Sequence, residues 1–198
     1  MLTATYPLLE MQFQLNYMQI GTITLIYQLT ASILQPGIGY YTDRTPKPKL
    51  LPLGMGATSI GITILAFAPS YQWLLVGAGL MGIGSSIFHP EAVRLTRTAA
   101  GGRYGTAQSI FQVGGNLGSA FGPLLAALLV VKYGRQQNIA LFLLFAVLGI
   151  SLLNYLANWG KPYLKPNLQR EKMDGVSLPY GKKRTIGTLL ILALLIFS

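Results

Sequence analysis

A chain of 198 residues that is 52% hydrophobic and only 10% charged, with a mean hydropathy of +0.48, has too few charges for a water-facing surface. A soluble domain carries about 25% charged residues, so an integral membrane protein is expected. The net charge of +10 comes without a basic face interleaved with aromatics, which argues against nucleic acid, and the absence of Cys with a single His, His89, excludes disulfides, thiolate chemistry and a multi-histidine metal site.

The first ten residues lack the basic segment of a signal peptide and read as the end of a helix whose beginning is absent. Residues 17–41 form a long uncharged run with Thr24, Gln28, Ala31 and Gln35 on one helical face. Pro36 and Gly37 are expected to kink or loosen its last turns. Residues 42–49 hold two prolines and four charges and read as a loop. Further spans are expected at 50–68 and 73–90, joined by a four-residue turn, with Tyr71 and Trp73 at the interface. The second of them is expected to end at Pro90.

Residues 105–131 contain no charged residue and no His. Gln108, Gln112 and Asn116 repeat every four residues, and so do Gly114, Gly118, Gly122 and Ala126. Four-residue spacing keeps each row on one face, and the offset of two residues separates the rows. The expectation is a helix with a polar row toward a solute path and a small-residue row against a neighbour. After a polar loop at 132–138 comes a span at 139–156.

The expected fold is therefore an all-α transmembrane helix bundle over residues 1–159, a basic linker at 160–184 and the start of another span at 185–198. Five spans are complete and two partial. Thirteen of the fifteen basic residues fall in alternate connections on one side, while the other side holds Lys132 and Arg135 alone. That bias places the first set in the cytoplasm. Gly77, Gly79 and Gly82 fit a dinucleotide-binding G-x-G-x-x-G, but they lie within a span and no acid occurs between Glu91 and Glu171, so that reading is rejected.

Two motifs are more specific. Gly39, Asp43 and Arg44 form G-x-x-x-D-R before a basic connection; Asp43 is placed to pair with a base, and Gly39 to let another helix approach. Gly118, Gly122 and Pro123 form G-x-x-x-G-P, followed by Ala126 and Ala127. In these features the chain resembles the major facilitator superfamily. There the first signature is a conformational latch, and the second, with Gly in place of the two alanines, is associated with antiporters. Pro46 departs from the usual glycine of the first motif. The strings Ile26 to Ser32, Tyr41 to Arg44, Gly82 to Ala92 and Ala107 to Asn116 resemble the fosmidomycin-resistance branch of bacterial exporters over about residues 6–164, the N-terminal half without most of its first helix.

The resemblance implies a six-helix half of a secondary transporter in the bacterial inner membrane, working by alternating access on the proton gradient with no cofactor. It implies efflux of a small, drug-like phosphonate. An ionisable residue in or near the hydrocarbon layer points to function, which makes His89 and Glu91, near the cytoplasmic end of their span, the proton-coupling candidates. Arg94, three residues from Glu91, is placed to pair with it or to bind an anion. Gln28, Gln35, Gln108, Gln112 and Asn116 are the remaining substrate-path candidates. The expected partners are membrane lipids, the small-molecule substrate and the missing C-terminal half. A membrane-embedded enzyme using His89 and Glu91 lacks a nucleophile or metal set beside them, and a truncated, non-transporting fragment is the other alternative.

Overall fold

The connections are short and the helices long, and the way each helix ends determines where the charged residues lie. The computed structural model describes residues 2–45 and 47–162, all within one unit, Met1–Leu164. The tip at Pro46, nearly all of the expected linker and the expected span at 185–198 lie outside the described residues.

A 3-10 turn at Leu2–Thr5 leads into α1 (Tyr6–Phe13), which Gln14 terminates in a left-handed conformation. Next, α2 (Tyr17–Arg44) starts on a reciprocal cap: the Gln19 amide N–H donates to Asn16 Oδ1 at 2.8 Å, and the Asn16 N–H donates to Gln19 Oε1 at 2.9 Å. Two of the otherwise unpaired N-terminal donors are thereby satisfied. The helix passes through Pro36 and runs three residues beyond the expected end at Tyr41. Thr42 and Thr45 hydroxyls bond back to the Ile38 and Tyr41 carbonyls, and Arg44 sits favourably at the negative end of the helix. Asp43 and Arg44 therefore lie on the last helical turn, not in a loop.

The third and fourth helices are α3 (Leu50–Phe67) and α4 (Tyr71–Ala99). Pro90 does not end α4, as had been expected. Packing of α4 against both α2 and α3 outweighs the one backbone bond that proline removes. At 29 residues and ~1.5 Å per residue, α4 is longer than a ~30 Å hydrocarbon layer. Gly101 and Gly102, both at positive φ, turn the chain into α5 (Tyr104–Leu129). A connector with two 3-10 turns, Val131–Tyr133 and Gln136–Leu141, precedes α6 (Phe142–Gly160).

Among the described residues, three segments are long and apolar enough to cross a membrane: Leu50–Phe67, Tyr71–Ala99 and Gln136–Gly160. The expected spans α2 and α5 have the length, at 28 and 26 residues, but their amides, hydroxyls and glycines lower their hydropathy.

Glycine sets the closeness of the core. A Cβ on Gly61 would lie 2.7 Å from the Gly77 carbonyl oxygen and 2.9 Å from the Met81 nitrogen. One on Gly82 would lie 2.6 Å from the Tyr27 carbonyl oxygen. The glycines of the rejected dinucleotide motif are thus contact points of α4 with α3 and α2. The row on α5 behaves differently: nothing lies within 4 Å of a Cβ built on Gly114 or Gly118. Ala126 is fully buried, Gly122 partly so, and Pro123 is exposed within the helix.

Candidate functional site

Arg94 is the centre of a polar cluster between α2 and α4. Its position follows from the two helices that overran their expected ends. Asp43 is carried on the last turn of α2, and Glu91 and Arg94 share one face of α4 past Pro90. Arg94 Nη2 donates to Thr42 Oγ1 at 2.7 Å and to Asp43 Oδ1 at 3.0 Å. Arg94 Nη1 faces Glu91 Oε1 at 3.4 Å, an ion pair in which neither atom has a hydrogen-bond partner among the described residues. The site grades from wet to dry: the Asp43 side chain is 40% exposed, that of Arg94 16% and that of Glu91 1%.

A planar guanidinium suits this task, because its fork can serve several acceptors at fixed angles. Here it ties the end of one helix to another. Thr42 is fully buried; its hydroxyl donates to the Ile38 carbonyl while accepting from Arg94. Gly39 lies below it and faces Pro90, with room for a Cβ 3.8 Å away. The two helices approach here as expected, but alanine also fits. Arg44 lies outside the cluster, its guanidinium 4.0 Å over the Tyr40 ring. Lys47 donates to the Tyr41 hydroxyl.

The expected pairing partners of Asp43 and Glu91 are therefore one residue, Arg94. Both of its terminal nitrogens face the protein's own groups, so no terminal nitrogen is left open to an anion in this state. The structure does not bring His89 to the cluster. Two residues from Glu91, it points to the other side of α4, where it is exposed and meets the Phe88 ring edge-on at 6.0 Å. The amide candidates also stand apart. Gln28 and Gln35 are exposed along α2, Gln112 and Asn116 are exposed along α5, and Gln108 is half-buried.

Sequence reasoning missed two positions. The polar, proline-rich run after Tyr41 reads as a loop and hides Thr42, although a hydroxyl beside the acid of G-x-x-x-D-R is suited to share a base with it. Gln136 falls in the polar stretch 132–138, which reads as a loop. It is 5% exposed, and its amide donates to the carbonyls of Leu65 at 2.7 Å and Ala68 at 3.3 Å, serving the unpaired end of α3. No local pattern distinguishes it from its neighbour Gln137.

The Major Facilitator Superfamily profile matches residues 1–198. The chain is 46% identical over 198 residues to the Fosmidomycin resistance protein of Escherichia coli (strain K12), covering 100% of this chain and 48% of that protein. It is 44% identical over 156 residues to the uncharacterized MFS-type transporter YfnC of Bacillus subtilis (strain 168), covering 79% of this chain and 38% of that one. Against the Bacillibactin exporter of the same organism it is 31% identical over 91 residues, covering 43% of this chain and 23% of that one. The chain thus spans about half the length, or less, of the curated relatives it matches. With a helical bundle, apolar spans and a profile match along its whole length, this chain belongs to the Major Facilitator Superfamily.

Proposed function

We propose that the chain is the N-terminal half of a proton-coupled exporter of a small polar, drug-like solute, not an enzyme, in a bacterial inner membrane. The observation that carries this reading is the Arg94 cluster, where a buried carboxylate and an exposed one share a single guanidinium between two helices. Asp43, Thr42 and Arg94 form the latch; Gly39 lies at the helix contact below it, and Arg44 is held beside it by Tyr40. Opening it frees α2 from α4 at the cytoplasmic end. Glu91 exchanges the coupled proton, and its incomplete pairing with Arg94 supports that role. Spans Tyr71–Ala99 and Gln136–Gly160 support a multi-pass arrangement, with the basic ends cytoplasmic.

The relative named for fosmidomycin resistance supports a phosphonate as the solute. The exposed faces of α2 and α5, with Gln28, Gln35, Gln112 and Asn116, then border the solute path and meet a C-terminal half. Gly114 and Gly118, open in this half, are the positions at which that partner approaches. Alternating access moves one half against the other around a site between them.

The test compares this chain with one restored to the relatives' full length. The restored chain protects cells against a phosphonate antibiotic and carries it across vesicle membranes; these 198 residues alone do neither. Transport by the 198 residues alone contradicts the reading.

A further inference from the structure

The end of the bundle away from Arg94 carries a cleft of about 480 Å³ between α1 and the α5–α6 connector. That volume lies within the ~300–1,000 Å³ of small-molecule sites. Pro7, Met11 and Gln12 form one wall, Arg135 and Gln137 the other, and Gln136 lies between them.

The two walls are already joined. Gln12 Nε2 donates to Gln136 Oε1 at 2.6 Å, and Gln136 is itself anchored on the end of α3 by its bonds to Leu65 and Ala68. Gly134, at φ +62°, makes the turn that sets Arg135 on the rim. A conformation of that kind is natural for glycine and strained for other residues. The cleft is therefore a fixed feature held by three elements of the fold.

Its chemistry is one-sided. Both ion pairs among the described residues belong to Arg94, so Arg135 has no carboxylate partner among them. Lys132, the other cation of this connector, lies over the Tyr133 ring. Glu10 is the acid of α1 and does not line the cleft. What remains is a permanent cation, neutral amides and an apolar wall of Pro7 and Met11.

We propose that this cleft binds a small organic anion, with its phosphonate or carboxylate head on Arg135, Gln12 and Gln137 and its apolar body along Pro7 and Met11. A guanidinium receives such a head through two parallel N–H donors. The proposal rests on the transporter reading only in making this an outer-side site for an exported anion. Its chemistry stands on the cleft itself.

Binding of phenylphosphonate to the 198-residue chain in lipid nanodiscs, followed by calorimetry, tests it without requiring transport. Wild type binds saturably in the millimolar range or tighter, and benzamide, the neutral control, binds more weakly. Arg135→Gln weakens phenylphosphonate about tenfold, as expected for losing one charged hydrogen-bonding partner. Arg135 is exposed, so the variant keeps the fold, and Arg103→Gln at the other end leaves binding unchanged. Equal affinity of wild type and Arg135→Gln, an equal loss in Arg103→Gln, or no saturable binding by wild type at about 10 mM overturns the proposal. Failure of transport by the restored chain leaves these binding outcomes unaffected.

Discussion

Arg94→Met lowers the unfolding free energy of the detergent-solubilised chain by about 3–5 kcal/mol, the cost of leaving a buried charge without its partner. The charge at issue belongs to Glu91, whose side chain is 1% exposed and whose Oε1, without a hydrogen bond among the described residues, faces Arg94. Asp43 contributes less, because at 40% side-chain exposure water can replace Arg94. The second substitution separates these effects. Glu91→Gln in the Arg94→Met background removes the stranded charge and restores more than half of the loss in urea unfolding. If the double variant is as unstable as Arg94→Met alone, the pairing of Glu91 with Arg94 is not what holds this end together. The cycle is needed because residues in one network do not contribute additively.

Gly84→Ala disrupts the contact between α3 and α4. A Cβ there would lie 2.5 Å from the Gly54 carbonyl oxygen and 2.8 Å from the Thr58 nitrogen, besides 2.2 Å from the Thr58 hydroxyl. The hydroxyl can rotate away, but two backbone atoms cannot, so the helices must separate. Overpacking of this kind costs about 1–3 kcal/mol and sometimes more. Gly118→Ala is the matched control. Its site is open in this chain, and alanine favours helix over glycine by about 1 kcal/mol. Thermal unfolding in detergent therefore shows a lowered midpoint for Gly84→Ala and an unchanged or raised one for Gly118→Ala. The reverse order would mean that the small-residue row of α5, not the α3–α4 contact, supports this bundle.

These two glycine sites show what could be read from the residues. Helical periodicity and small-residue spacing identified rows on α5 and glycines within α4, but spacing does not say which row meets a neighbour. That depends on which helices pack together, a property of the whole bundle. The start of α2 at Tyr17 was legible because its cap, Asn16 with Gln19, is written locally. The ends of α2 and α4 were not. Pro90 and the polar residues after Tyr41 normally mark a boundary, and packing of α4 against α2 and α3 carried both helices past it.

The core of the candidate site was partly legible. Asp43 needed a base, and Arg94 was the residue within reach of Glu91 by helical spacing, but their meeting at one guanidinium required both helices to overrun. His89 shows the opposite limit. Its neighbours in sequence suggested a shared site with Glu91, while the helical turn between them placed it on another face. Gln136 was illegible, since its partners, Leu65 and Ala68, lie about seventy residues away.

The measurement that bears most directly on the proposed transport is uptake of a phosphonate into vesicles containing the chain restored to its relatives' length, with a pH gradient imposed across the membrane. In wild type the gradient drives accumulation. In Glu91→Gln, accumulation loses its dependence on the gradient while exchange of the solute without a gradient persists. Gradient-driven accumulation that is unchanged in Glu91→Gln contradicts the assignment of the coupled proton to the carboxylate buried beside Arg94.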